Sequence, residues 1–398
     1  MGILIKKHRG VPAFTGIAKL AVIGFLVAIS SSFIDTIWSI YLDSFLHSEV
    51  IVGFLSAGLT LVSLLSYLIF IPLIEKTNKS KMYFYSLLFF GIAYILFAIN
   101  TKFYIFIILA LIITILSTFR ITSYGIIVKD KSQESQLSRN EGLVFTFSNI
   151  AWVVGPLIAG YIAEKYNVNI VFVLSAVFVL LALFLFRISN IRDANIKKKT
   201  DKNMIKNLID FFKDKDRVIA YFTSGGMCLW WILIYLFMPL HIIRSGLDNL
   251  WVGYFLFAVA VPLILTEYKF SKLAGKWGFK KIFKTGFALI GILSFICFFI
   301  GNIYLLLGVL VLASFGMAML EPTTEAYFFD ISKKKEDCRF YGPYNTAIDT
   351  NHFVGKVSAS VLLIFLPFKY LFLLFGFFMF IMYLLSFKVK NVIENRRK

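Results

Sequence analysis

Asn345, Asp349, His352 and Lys356 follow one another at intervals of four, three and four. On an α-helix that spacing sets all four on one stripe. A carboxylate, an imidazole and an ammonium in a row can relay a proton, and histidine ordinarily titrates near neutral pH. Their neighbours, "TAIDTNHFVGKVSASVLLIF", are mostly apolar or small. Two other stretches also place charge inside an apolar run. Ser31, Asp35 and Ser39 are spaced by four, and a carboxylate such as Asp35 in low dielectric is a candidate proton site. In "LIITILSTFRITSYGIIV", Arg120 shares a helical face with Thr114, Ser117 and Tyr124. Farther on, Glu321 and Glu325 lie one turn apart, and Glu267 ends another apolar run. The residues expected to bind substrate or coupling ion are Asp35, Arg120, Glu321, Asp349, His352 and Lys356.

The elements that must position them are long and greasy. Of 398 residues, 59% are hydrophobic and 16% charged, with a mean hydropathy of +0.81. A soluble protein carries roughly a quarter charged residues, so this is a polytopic membrane protein. Runs of about 20 apolar residues, enough to cross a bilayer, recur twelve times, near 16–42, 50–73, 82–100, 103–128, 142–163, 168–186, 219–242, 250–268, 285–301, 303–328, 341–366 and 369–387. A charge at the centre of such a span costs a few kcal/mol in lipid, so the stripes above must face protein or water. A polar seam against the second or eighth helix and a proton relay both satisfy that demand for the 345–356 stripe.

The basic residues set the orientation. With both termini cytoplasmic, only Lys102, Lys165, Arg244 and Lys369 fall in outer loops, which obeys the positive-inside rule. The same bias explains the formal charge of +19, and its scatter over short segments excludes a nucleic-acid partner. Three cysteines offer neither a disulfide framework nor metal spacing. The first span has no small-residue cleavage site after it, so it is expected to stay as an anchor in the cell membrane.

Shifted by 200 residues, the chain matches itself. Gly53 meets Gly253, Lys76 meets Lys276, Asp130 meets Asp330, Arg139 meets Arg339 and Gly155 meets Gly355. Six spans separate the copies, so both have one orientation: an all-α membrane protein of two parallel six-helix repeats, one of the known transporter plans. The halves are expected at 1–190 and 219–398. Between them, 191–218 is a cytoplasmic linker with an amphipathic helix expected on the membrane surface.

"GLVFTFSNIAWVVGPLIAG" then carries a resemblance. Gly142, Gly155, Pro156 and Gly160 resemble the fifth-helix motif of the major facilitator superfamily, most often noted in its drug/proton antiporters. The loop after the second span resembles that family's inner gate only in part. Glu75 and Lys76 keep the acid and a basic position without the glycines, while Lys276 and Gly278 keep theirs without the acid. "FRITSYG" resembles the family's fourth-helix arginine motif with Tyr124 in place of a glycine. The resemblance implies the major facilitator fold and a monomeric secondary transporter working by alternating access, with no cofactor or metal. Its substrate would be a small organic compound, coupled to protons and exported. Uptake of a sugar, organic acid or peptide is the alternative. An intramembrane enzyme is disfavoured because no zincin motif, phosphate loop or nucleophile constellation accompanies Asp349 and His352. A scaffold that has lost transport is the remaining alternative.

Overall fold

The structure, a computed structural model, describes residues 16–74, 77–132, 137–191, 204–332 and 337–390. Every element among them is helical. The first half contributes α1 (Gly16–Leu46), α2 (Glu49–Ile74), α3 (Lys79–Ile99), α4 (Phe103–Lys131), α5 (Leu137–Lys165) and α6 (Val168–Ile188). A short α7 (Met204–Phe212) follows in the linker. The second half contributes α8 (Lys215–Ile232), α9 (Met238–Arg244), α10 (Asn249–Trp277), α11 (Phe279–Cys297), α12 (Ile303–Ile331), α13 (Asp337–Phe365) and α14 (Tyr370–Ser386). One π turn, Leu233–Phe237, joins α8 to α9 into a single span of 30 residues. There the Met238 N–H donates to the Leu233 carbonyl, five residues back, and Pro239 lacks the N–H that would continue an α ladder. With α8–α9 counted once and the linker helix α7 set aside, twelve helices match the twelve apolar runs.

Nine of them are long and apolar enough, among the described residues, to cross a bilayer. The other three have plain reasons for falling short. α11 opens on Lys280, Lys281 and Lys284, α13 carries the Asp349–His352–Lys356 stripe, and α14 has 17 residues.

Packing repeats across the halves. In the first, α1 packs on α5 and α6, α3 on α4 and α6, and α2 on α4. In the second, α8 packs on α13 and α14, α11 on α12 and α14, and α10 on α12. Each pair is the image of the other under the 200-residue shift. The halves meet chiefly through two further pairs, α2 with α13 and α5 with α10, which are images of each other as well, and α1 adds smaller contacts to α9, the π turn and α10. Even single contacts obey the rule. A Cβ on Gly53 would strike the Ser360 side chain, and one on Gly253 would approach the Gly160 Cα to 3.2 Å. Residues 53 and 253, and 160 and 360, are repeat equivalents.

The linker helix departs from expectation. Rather than resting only on the membrane surface, α7 docks on the second half. Phe211 is fully buried among Tyr221, Phe328 and Phe340. Arg339 of α13 donates to Asn207 Oδ1 at 2.8 Å and pairs with Asp210. Lys213, and behind it Arg339, hold the Asp210 carboxyl below its ordinary range, which keeps that contact ionised near neutral pH. Ile209 and Phe212 stay exposed on the outer side of the helix. An amphipathic pattern marks which residues seek apolar cover, and protein supplied it for Phe211 where lipid was expected.

Candidate functional site

Three helices of the second half and three of the first aim polar side chains at one interior region. On α1, Asp35 lies at mid-helix between buried neighbours Ile34 and Thr36, yet it remains accessible. α1 is enclosed by α2, α4, α5, α6, α9, α10 and the π turn, so that accessibility is to an internal space and not to lipid. Arg120 of α4 and Lys356 of α13 both lie within electrostatic reach of Asp35, one from each half. Tyr235, the repeat counterpart of Asp35, is in reach of it as well and sits in the π turn. The extra residue in that turn therefore falls where the two halves approach Asp35. Trp231 and Trp152 flank the Tyr235 ring at centroid distances of 5.5 and 6.2 Å, whereas Trp230 is wholly buried.

Arg120 is half-buried. Its Nη1 donates to Ser31 Oγ at 3.1 Å, and its guanidinium lies 4.5 Å from the Phe90 ring centroid. One polar contact and one aromatic face leave most of its donor fork unused by them. The rest of its expected face has local duties. Thr114 and Ser117 donate back to carbonyls of their own helix, and the Tyr124 hydroxyl donates to the Leu20 carbonyl of α1 at 2.7 Å. That last bond, with Gly24 packed against the Tyr124 ring, gives the aromatic at this position its purpose.

The α13 stripe divides. Ser63 of α2 donates to Asp349 Oδ2 at 3.4 Å, and Lys356 Nζ donates to Thr60 Oγ1 of α2 at 2.8 Å. Asp349 and Lys356 thus both cross to the first half. Between them, His352 turns the other way, with its Nε2 3.1 Å from the Cys228 carbonyl of α8. Asp349 and Lys356 act on each other electrostatically. Tyr67 of α2 lies within reach of Asp349 and of Arg120, which links the stripe to the Asp35 region. Glu321 of α12 is accessible at mid-helix like Asp35, and its charged neighbour is Glu267 of α10. Glu325 accepts from the Tyr341 hydroxyl at 2.6 Å, away from the centre.

The fifth-helix residues sit where the first half meets the second. A Cβ on Gly155 would strike the Ser32 side chain of α1, the Pro156 carbonyl lies against Gly253, and Gly160 faces the Asn249 carbonyl. Gly142 lies within α5. Of the gate residues, Glu75 and Lys76 lie outside the described residues. Gly278 has φ +82° and donates its N–H to the Ala274 carbonyl at 2.8 Å, ending α10 in a conformation that favours glycine. Lys276 belongs to the last turn of α10, where cations are favoured.

The model of the Major Facilitator Superfamily matches residues 20–268 and 258–397. The chain belongs to this superfamily. Among solved structures, this superfamily member resembles a POT family transporter in complex with a thioalcohol-conjugated peptide, at TM-score 0.77 and 12% identity, covering 94% of this chain and 95% of that one. A second POT family transporter, in complex with 5-aminolevulinic acid, matches at 0.77 and 13% over 94% and 95%. The nucleoside transporter NupG matches at 0.76 and 11%, over 94% and 99%. At such identities the likeness establishes the fold. A comparison with curated proteins gives no match.

Sequence reasoning missed three parts of this superfamily member's interior. Tyr67, Ser63 and Thr60 on α2 receive the α13 stripe, and their spacing of four and three was legible only once a partner stripe was known. The π turn has a local cue in Pro239. The third part lies at the end of the bundle away from the linker. There Arg244 bridges Asp43 at 2.8 Å and Glu49 at 3.1 Å, and Glu164 accepts from the Asn249 N–H and side chain at 3.0 and 3.1 Å. Each of these contacts joins one half to the other.

Proposed function

We propose that this transporter exports a small organic compound in exchange for protons, by rocking of the halves 1–190 and 219–398 about the region between Asp35 and Lys356, while 191–218 tethers them on the cytoplasmic side. The observation that carries the reading is Asp35, an accessible interior carboxylate addressed by Arg120 from its own half and by Lys356 from the other. A group reached from both halves changes its electrostatic setting whenever the halves move. That is what coupling of a proton to a conformational change demands. Arg120 is assigned to the substrate or to the protonation state of Asp35, since most of its donors are free of the contacts to Ser31 and Phe90. The fifth-helix residues support exchange, because they pack α5 on α1 and α10 where rocking must occur. The presence of both charge signs in the interior also suits an amphoteric substrate taken up with protons, the second reading.

Flux across proteoliposomes separates them. An imposed proton gradient should drive substrate against the proton flow for exchange, with it for uptake, and not at all for a scaffold. Arg120→Ala should abolish flux at unchanged folded yield, and Arg120→Lys should retain part of it, because a point charge replaces a planar fork. Normal flux in both variants would remove Arg120 from the mechanism.

A further inference from the structure

We infer that the first half carries a binding site for the phosphate headgroup of an anionic phospholipid, at the linker end between α3 and α6. A cavity of about 210 Å³ opens there, lined by Ser80, Lys81, Phe84, Tyr85, Phe186 and Arg187. Lys81 and Arg187 are exposed, and neither has a carboxylate within 4 Å among the described residues. Two cations that border an open cavity from opposite helices, with no carboxylate partner among the described residues, are suited to one anion held between them. The first turn of α3 adds the positive end of its helix dipole.

The floor and the flank identify the anion as a lipid's. Phe84 and Tyr85 stand edge to face at 5.6 Å beneath the cations, which gives the cavity an apolar side. Deeper along the same pair, Phe89 and Ile92 of α3 and Leu181 and Phe184 of α6 are all large and exposed. These two helices pack closely where Gly91 meets Leu180, so the exposed residues form one continuous surface on which acyl chains can lie. A headgroup phosphate above and acyl chains below match that order of charge and grease. Basic pockets between helices on the cytoplasmic side are known to take anionic headgroups.

The second half shows that the cavity is not a by-product of the fold. By the repeat, Phe84 corresponds to Lys284 and Arg187 to Phe387. Cation and aromatic are exchanged, and the two side chains close on each other, with Lys284 Nζ 3.9 Å from the Phe387 ring centroid. The equivalent Lys281 is likewise engaged, 4.2 Å over Trp277. The same place in the other half is therefore filled by its own side chains.

Thermal unfolding of the detergent-solubilised full chain tests the site, because a ligand that binds the folded state raises Tm. Phosphatidylglycerol should raise Tm saturably, whereas phosphatidylcholine and inorganic phosphate at equal concentration should not. Half-saturation should weaken about fivefold for Lys81→Gln or Arg187→Gln and about 25-fold for both together. The pair Lys281→Gln and Lys284→Gln should leave half-saturation unchanged. Lys81 and Arg187 are exposed, so these variants retain the fold. An unaltered phosphatidylglycerol titration in the double variant would overturn the site, as would an equal rise with phosphatidylcholine. A rise reproduced by inorganic phosphate would overturn the lipid assignment.

Discussion

Asp349, His352 and Lys356 of the α13 stripe look equivalent in the sequence, but their partners differ. Asp349 receives a hydrogen bond from Ser63, and Lys356 gives one to Thr60, so both hold the halves together through α2. His352 reaches the Cys228 carbonyl within its own half. A carbonyl only accepts, so Nε2 carries the proton in that bond and the ring is a donor there. Spacing shows that side chains share a face, but within that face rotamers let one residue turn to α8 while its neighbours turn to α2. Distinct outcomes follow for the two residues. Asp349→Asn keeps the side-chain shape but removes the charge that faces Lys356, and it should abolish gradient-driven flux while preserving downhill substrate exchange. His352→Ala leaves the Cys228 carbonyl without this partner and should cost about 1–3 kcal/mol of stability, with the pH dependence of flux kept. Flux at several imposed gradients, alongside thermal unfolding, checks both. An Asp349→Asn variant still driven by the gradient would move coupling to Asp35 alone.

At the scale of helices, the two interfaces between halves are images by sequence but differ in what lies behind each glycine. A Cβ on Gly253 would lie 2.6 Å from the Pro156 carbonyl and 3.2 Å from the Gly160 Cα, both backbone atoms that cannot move aside. A Cβ on Gly53 would meet the Ser360 hydroxyl, which a rotamer change can remove, with the Phe237 ring edge next at 3.2 Å. Gly253→Ala should therefore cost about 1–3 kcal/mol by pushing α10 from α5, and Gly53→Ala should cost clearly less. Chemical unfolding of the two variants decides it, and equal costs would contradict the contact geometry. The same pair shows what sequence could and could not reveal. The apolar spans and the repeat were both legible, because they rest on hydrophobic length and on a constant shift. The docking of α7 was not. Its apolar face states a need for cover without naming the surface that meets it, and the surface comes from residues far along the chain, Phe328, Arg339 and Phe340.

The whole molecule is joined at the end away from the linker by contacts that no local pattern announced. Arg244 was legible only as one of four basic residues in outer loops, and its sparseness there is what makes it informative. In the fold it spans the halves to Asp43 and Glu49, while Glu164 and Asn249 form a second bridge beside the Gly160–Gly253 approach. Rocking of the halves as proposed would break each of these in the opposite state, so they would bias the population of states without touching substrate. Their size can be bounded. Arg244 is 34% exposed and its two carboxylates 23% and 21%, so each pair is worth about 0.2–1 kcal/mol after solvent screening. Arg244→Gln should thus raise the population open at this end up to about fivefold for each pair lost. Asp43→Asn should do so once, and added salt should move the wild type in the same direction. Fluorescent labels on the two connections at His47 and Ser245, read as a distance distribution in single molecules, report the shift directly. Glu164→Gln keeps an acceptor for Asn249 and should move the distribution least. If Arg244→Gln and wild type give one distribution at low salt, the bridges merely decorate a closure set by helix packing, and the bias must lie in the close approach of α5 and α10.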